Sequence, residues 1–254
     1  MIWLALVLML LCCPHARAAD DLSAFSYDQR LGNQVPLAAP FKDQRGNAIT
    51  LGQALSKRPT ILALGYFHCP NLCGLVRDDL MSALSRLDDR RDYSLVVLSI
   101  DPSETASDSR SAFVTDGARF DHPERTADWH YLTGSAAGIR AVSDAVGFRS
   151  RFDNADKQFL HPAGIVFLTG AGTVSSYLLG LGYQPSDVGL GVTRAANGVT
   201  ARALPILLLC FHYDPATGRY SLAIMRVLQL GAAITILVVG GTVMLALRRE
   251  RRPR

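Results

Sequence analysis

Residues 59–73 read PTILALGYFHCPNLC, and this stretch decides how the chain folds. Thr60–Phe67 is a mostly apolar run with the length of a buried strand, and helical spacing of apolar residues begins at Asn71. Two cysteines, Cys69 and Cys73, lie at the junction. A strand that passes into a helix through a short turn is typical of an α/β sheet, so we expect both thiols beside a helix N-terminus.

The spacing of the two cysteines limits their chemistry. Positions i and i+4 lie on one face of a helix, so Cys69 and Cys73 can converge on one metal ion or close a disulfide. Unpaired backbone N–H groups at a helix N-terminus favour the thiolate, which is both the nucleophile and the metal ligand. These residues alone leave three alternatives open, namely a redox pair, a metal site and a structural pair of cysteines.

A third ligand would favour a metal site, and His161 is the best candidate. It stands shortly before the predicted strand Gly164–Leu168, and in strand–helix redox folds the loop before this late strand faces the cysteine turn. Two thiolates and an imidazole suit copper better than magnesium or calcium, and zinc is also acceptable. The alternative is an ordinary core or surface histidine. His68, beside Cys69, is expected to face solvent.

Strand and helix patterns alternate along the rest of the chain. The predicted elements are a hairpin over residues 41–51, strands over 60–67, 94–100, 129–132, 164–168 and 173–178, and helices over 71–87, 104–120, 135–146 and 186–197. Strands that alternate with helices predict an α/β fold, and the closing hairpin adds antiparallel strands.

The N-terminal end carries a secretion signal. An apolar run over Met1–Leu11 leads to Ala16-Arg17-Ala18, a small-x-small pattern that precedes cleavage sites. We therefore expect a signal peptide over residues 1–18, followed by a weakly structured lead-in over residues 19–35. An uncleaved N-terminal anchor is the alternative, because the apolar run has no Lys or Arg before it.

The C-terminal end carries a membrane signal. Residues 227–247 contain no charged residue, and at about 1.5 Å per residue they span the hydrocarbon core of about 30 Å. The basic tail over residues 248–254 places that end in the cytoplasm by the positive-inside rule. We therefore expect a bacterial inner-membrane protein with a domain over residues 36–200 in the periplasm, joined to a single helix by a juxtamembrane segment over residues 201–226.

Charge and cysteine content argue against a nucleic-acid-binding protein and against a disulfide scaffold. The tail's five Arg and one Glu account for the net charge of +4, so the domain is near neutral and no nucleic-acid partner is expected. Cys69, Cys73 and Cys210 are too few for a disulfide scaffold. Cys210 stands two residues before His212, and the segment is either a second metal or redox element or a hairpin before the membrane helix.

Four blocks together resemble the Sco/SenC family of thioredoxin-fold copper proteins. Gly65–Cys73 is similar to its Gly-Tyr-Thr-His-Cys-Pro-x-x-Cys signature, and Ser99–Pro102 to its Ser-x-Asp-Pro strand end. Trp129–Gly134 matches the following Trp-x-x-Leu-Thr-Gly block, and His161 falls where the family's copper-binding histidine lies.

The resemblance implies a thioredoxin-like fold, to which the sequence pattern adds an N-terminal hairpin extension and a C-terminal transmembrane helix. Family members commonly have their membrane anchor at the N-terminus, so the C-terminal helix is a departure from the family. It implies copper, as Cu(I) or Cu(II), held by Cys69, Cys73 and His161, with Cys69 and Cys73 also acting as a redox pair. The implied role is a metallochaperone more than an enzyme, which delivers copper to the binuclear copper centre of cytochrome c oxidase or prepares its cysteines.

The implied partners are the copper-bearing oxidase subunit, other copper chaperones or thiol–disulfide proteins, and the membrane. An extracytoplasmic thiol–disulfide oxidoreductase is the alternative function. The Cys-x-x-x-Cys spacing counts against it, because dedicated oxidoreductases of this fold mostly use Cys-x-x-Cys.

Overall fold

The structure, a computed structural model, describes residues 26–68, 73–87, 92–155, 157–202, 231, 235 and 239–241. The chain forms two compact units, Met1–Cys210 and Phe211–Arg254. In the second unit the described residues are helical, and the Thr235 hydroxyl donates a hydrogen bond of 2.9 Å to the Gly231 carbonyl.

Membrane segments were predicted at both ends of the chain. No helix within the described ranges is long and apolar enough to cross a membrane. Most of the predicted span over residues 227–247 lies outside those ranges, as do the whole of the predicted signal peptide and the basic tail.

The first unit alternates strands with helices, as the sequence predicts. In chain order the elements are β1 (Pro40–Lys42), β2 (Ala48–Thr50), α1 (Leu51–Leu55), β3 (Thr60–Gly65), α2 (Cys73–Ser85), β4 (Ser94–Ser99), α3 (Ala106–Gly117), a 3-10 helix (Pro123–Asp128), β5 (Trp129–Leu132), α4 (Ala136–Ala145), β6 (Arg151–Asp153), β7 (Gln158–Leu160), β8 (Gly164–Leu168), β9 (Val174–Leu179) and α5 (Pro185–Ala196).

The core of the unit is a five-stranded mixed sheet in the order β5-β4-β3-β8-β9. Strand β3 is central, with β4 parallel on one side and β8 antiparallel on the other. Strands β5 and β9 complete the sheet, parallel to β4 and antiparallel to β8 respectively. The hairpins β1-β2 and β6-β7 form separate two-stranded sheets.

Both faces of the sheet are covered, which explains why its strands read as continuous apolar runs. Ile61 of β3 packs in a core cluster with α2 residue Leu80 and α5 residue Val188. Its neighbour Leu62 points to the other face and packs in a second cluster with α4 residue Val142. Alternate side chains of the central strand therefore fill two different cores.

The described part of the lead-in has little regular structure, as expected, yet it is packed on the domain. Val35 is 1% exposed. Isolated bridges pair Tyr27 with Phe148 and Gln34 with Thr173. Residues 26–35 therefore contribute to the core next to strand β9 and the end of α4.

Several element boundaries differ from the predicted ones. Strand β3 ends at Gly65 and not at Phe67, because the ladder to β4 ends there. Helix α3 begins at Ala106, since Thr105 and Asp108 form a capping box around its first turn. The hairpin β6-β7 was not predicted, because strands of three residues are too short to show an alternating pattern.

Candidate metal centre

The candidate site lies at the edge of the sheet where two parallel strands end. Gly65 of β3 is paired with Ser99 of β4, and the Ile100 N–H donates a hydrogen bond of 2.8 Å to the Gly65 carbonyl. The turn that leads to Cys69 and the turn that follows β4 therefore leave the sheet side by side.

In the sequence, the two cysteines lie at the junction of β3 and α2. Cys73 is the first residue of α2, as expected for a thiol at a helix N-terminus. Cys69 and the side chain of Cys73 lie outside what the structure describes, as do Cys210 and His212. Within the described residues, no group of three or more His, Cys, Asp and Glu is arranged to hold a metal ion.

His161 lies between β7 and β8 and is buried, with 2% of its surface exposed. Its Nδ1 lies 3.0 Å from the carbonyl oxygen of Pro162. A carbonyl oxygen only accepts hydrogen bonds, so Nδ1 carries the ring proton and Nε2 carries the lone pair of the neutral imidazole. A histidine ligand is typically oriented in this way by a hydrogen bond from its other nitrogen.

Aromatic rings hold the imidazole in place. The His161 ring packs against Phe148 at a centroid distance of 5.7 Å and edge-to-face against Tyr66 at 6.0 Å. Tyr66 in turn packs edge-to-face on Phe159, which contacts Phe152 across the β6-β7 hairpin. Phe152 is 42% exposed, so the row of rings runs from the surface to the buried histidine. The hairpin therefore supports the His161 ring through Tyr66.

A small cavity brings His161 next to helix α2. Its lining includes His161, the end of β3 at Gly65, and Val76 and Arg77 from the first turns of α2. His161 therefore lies near the first turns of the helix that begins at Cys73.

A buried ion pair fixes helix α2 beside this cavity. Arg77 Nε donates to Asp116 Oδ2 of α3 at 2.8 Å, and the Tyr131 hydroxyl donates to the same oxygen at 2.8 Å. Burial raises the pKa of the Asp116 carboxyl above its usual range, and the Arg77 charge acts against that rise. This network was not predicted, because its members lie on three elements that are far apart in the sequence.

A second buried acid, Glu104, follows β4 beside the cysteine turn and was also missed as a functional candidate. It is 8% exposed. His68 was expected to face solvent, and its side chain is 69% exposed, but its Nδ1 lies 3.3 Å from Glu104 Oε1. The parallel pairing of β3 and β4 could have indicated this proximity, since the carboxyl ends of parallel strands share one edge.

The family model of SCO1/SenC matches residues 32–188. Solved structures agree with this match in fold. A SCO1/SenC family lipoprotein from Bacillus anthracis is 17% identical, with a TM-score of 0.56 over 67% of this chain and 99% of that chain. Arabidopsis thaliana ScoI, solved with copper bound, is 18% identical, with a TM-score of 0.52 over 66% of this chain and 99% of that chain.

A third structure is that of BsSco, a member of the Sco family of cytochrome c oxidase assembly proteins in which a disulfide switch was identified. It is 17% identical, with a TM-score of 0.52 over 67% of this chain and 97% of that chain. No curated protein matches the sequence. The family match covers more than half of the chain, and the mixed sheet has the thioredoxin-like arrangement of these relatives, so the chain belongs to the SCO1/SenC family.

Proposed function

We propose that this chain binds one copper ion through Cys69, Cys73 and His161. The observation that carries the proposal is the state of His161, which is buried beside α2 with Nδ1–H directed at the Pro162 carbonyl. Its Nε2 lone pair is therefore the one suited to a metal. Cys73 at the first position of α2 supports thiolate ligation. Thiolate sulfur and imidazole nitrogen together suit copper.

We propose that the copper is cargo for the binuclear copper centre of cytochrome c oxidase. Family membership supports this role, as does the description of BsSco as belonging to a family of oxidase assembly proteins. The proposed partners are the copper-bearing oxidase subunit and the copper chaperones or thiol–disulfide proteins that load or reduce this one. Within the same role, the alternative to copper delivery is that this protein prepares the cysteines of the oxidase centre.

We further propose that the domain lies in the periplasm, anchored to the inner membrane. Support comes from the sequence, which has a signal pattern over residues 1–18, an uncharged stretch over residues 227–247 and a basic tail over residues 248–254. A relative from Bacillus anthracis is a lipoprotein, which is consistent with attachment of such domains to a membrane.

Copper binding is tested with the full chain in detergent, titrated anaerobically with Cu(I) against a coloured chelator. The wild type is expected to bind one copper, and Cys69→Ser, Cys73→Ser and His161→Ala should each weaken binding strongly. His122→Ala is the matched control, since His122 lies on the surface beside Glu124. Unchanged affinity in His161→Ala would show that the proposed Cys₂His site is wrong.

A second function, thiol–disulfide exchange, is favoured by the position of Cys73 at a helix N-terminus, where unpaired backbone N–H groups favour the reactive thiolate. In that case the two cysteines would cycle between thiol and disulfide, and His161 would be dispensable. The discriminating measurement is disulfide reduction by wild type and His161→Ala. Turnover that is fast and equal in both proteins would favour the oxidoreductase over copper delivery.

The cellular role is tested by deleting the gene and measuring oxidase activity with and without added copper. Loss of activity that copper restores supports delivery. Loss of activity that copper does not restore, but that a small-molecule reductant does, supports preparation of the oxidase cysteines. Normal activity under all conditions would remove the oxidase role.

A further inference from the structure

Glu104 is a buried carboxylate that accepts hydrogen bonds from two adjacent backbone N–H groups and from one hydroxyl. Its Oε2 accepts the Phe67 N–H at 2.9 Å and its Oε1 accepts the His68 N–H at 2.8 Å. The Ser99 hydroxyl donates to Oε2 at 2.5 Å. Its side chain is only 3% exposed. One carboxylate therefore binds the two backbone N–H groups that directly precede Cys69.

These two N–H groups lie beyond the sheet. Strand β3 ends at Gly65, so Phe67 and His68 leave the ladder that fixes the residues before them. A buried carboxylate costs free energy unless donors compensate its charge, and here backbone donors do so. The carboxylate and the turn thus stabilise each other. Beyond Gly65, hydrogen bonds to Glu104 replace those of the strand ladder.

The outer side of the carboxylate is covered by His68. Its Nδ1 lies 3.3 Å from Glu104 Oε1, and its Nε2 lies 3.6 Å from Asp108 Oδ1 on the first turn of α3. Asp108 also accepts the Thr105 N–H and hydroxyl, at 2.7 Å and 2.8 Å. The backbone and the side chain of the residue before Cys69 are therefore both tied to the segment that follows β4.

We infer that Glu104 is a positioning residue for the copper site, fixing the direction in which the chain enters Cys69. The inference rests on the proposed copper function. Glu104 does not touch the metal in this role, but it holds residues 67 and 68 so that the Cys69 thiolate is presented towards Cys73 and His161. Metal affinity depends on such pre-ordering, and loss of an outer partner of a ligand typically costs about 10–100-fold in affinity.

The chain supplies a matched control in Asp43. Asp43 is 4% exposed and accepts the backbone N–H groups of Arg45 and Asn47, at 2.9 Å and 2.8 Å. This carboxylate orders the β1-β2 turn in the same way that Glu104 orders the cysteine turn. Both N–H groups donate to the same oxygen, Oδ1, which an asparagine would retain, so Asp43→Ala is the variant that removes these bonds without touching residues 67 and 68.

The first measurement is amide hydrogen exchange in the metal-free full chain, which needs no copper. Glu104→Gln should speed exchange at Phe67 and His68 and leave the strand residues up to Gly65 protected, whereas Asp43→Ala should speed exchange only around Arg45 and Asn47. Unchanged exchange at Phe67 and His68 in Glu104→Gln would overturn the inference, whatever the protein does with copper.

The second measurement is Cu(I) affinity by anaerobic chelator competition. Glu104→Gln should weaken binding by about 10–100-fold, and Asp43→Ala should leave it within about twofold at a similar loss of thermal stability. Equal affinities in the two variants would overturn the inference. If wild type itself binds no Cu(I), the proposed function fails, and hydrogen exchange alone decides the role of Glu104.

Glu104→Asp is the second variant, for use if the glutamine variant does not fold. It keeps the charge but is one methylene shorter, so it reaches fewer of the N–H groups. Its Cu(I) affinity should lie between those of wild type and Glu104→Gln. If Glu104→Gln does not fold, the affinity of Glu104→Asp should still be lower than that of wild type. A wild-type affinity with wild-type exchange at Phe67 and His68 would overturn the inference.

Discussion

Arg77 of α2 and Asp116 of α3 form an ion pair, with 2.8 Å between Nε and Oδ2, in which the carboxylate is fully buried. The Arg77 side chain is 12% exposed. Arg77 also lines the cavity beside His161, so the pair ties the helix that starts at Cys73 to its neighbour. Removing one member of a buried pair leaves the other charge without compensation.

Arg77→Leu is therefore expected to lower the free energy of unfolding by about 3 kcal/mol, the lower end for a broken buried pair. Arg119, whose Nη1 lies 3.7 Å from Asp116 Oδ1, offsets part of the loss. Urea denaturation measures the change. Arg86→Leu is the control, because Arg86 directly follows α2 and, among the described residues, its side chain bonds only to Ser82. Equal losses in the two variants would contradict the importance of the pair.

The loss in Arg77→Leu should also depend on pH. Burial already raises the pKa of Asp116 in the wild type, and removing Arg77 raises it further. A carboxyl whose pKa is raised on folding binds its proton more tightly in the folded state, so stability increases as the pH falls through that pKa. The difference between variant and wild type should therefore be smaller at about pH 4 than at about pH 7. A difference independent of pH would mean that Asp116 is not the group affected.

Gly191 of α5 lies against the ring of Phe167. A Cβ at residue 191 would lie 2.4 Å from two ring carbons of Phe167, which is 1% exposed and has no room to move. Gly191→Ala should destabilise the domain by about 1–3 kcal/mol, the usual cost of overpacking. Thermal unfolding checks this. Gly117→Ala, where nothing lies within 4 Å of the added Cβ, should not destabilise, and an equally stable Gly191→Ala would contradict the close packing.

Buried tyrosines should delay the alkaline titration of the folded protein. Burial raises the pKa of both Tyr93 and Tyr177 to about 12, and burial and the Asp116 charge raise that of Tyr131 well above its usual range. Each raised pKa contributes stability below the unfolded value of about 10 that is lost as the pH rises through the folded value.

At about pH 11, ultraviolet absorbance should therefore show fewer phenolates in the folded chain than in the denatured chain, which exposes all 8 tyrosines. Tyr93→Phe should leave the folded signal at that pH unchanged, because Tyr93 is still protonated there. A signal that falls by one phenolate in Tyr93→Phe would show that this side chain ionises at its ordinary pKa.

The strand Thr60–Gly65, the helix Cys73–Ser85 and the place of His161 before β8 were predictable from sequence. Ile61–Leu64 is apolar throughout, and a strand of that kind followed by a helix leaves few alternatives. The direction of His161 towards α2 followed from a fold in which the late strand β8 pairs with β3. These features depend on local pattern and on the general order of elements.

The residues that support the site were not predictable in the same way. Glu104 accepts from backbone N–H groups 36 and 37 residues earlier, and Arg77 pairs with an aspartate 39 residues later. Backbone donors leave no mark in a sequence, because any residue type except proline carries one. Such contacts depend on the exact pairing of β3 with β4 and on the packing of α2 against α3.

The proton on the His161 ring can be located directly. Since Nδ1 donates to the Pro162 carbonyl over 3.0 Å, we expect a protonated Nδ1 and a lone pair on Nε2 in the metal-free protein at neutral pH. Nitrogen-15 NMR of labelled protein distinguishes the two ring nitrogens. Cu(I), which is diamagnetic, should shift Nε2 and leave the Nδ1 proton in place. His122, which is half-buried at the surface, serves as the internal control and should not respond. A proton on Nε2, or a shift confined to Nδ1, would contradict both the tautomer and the proposed ligand atom.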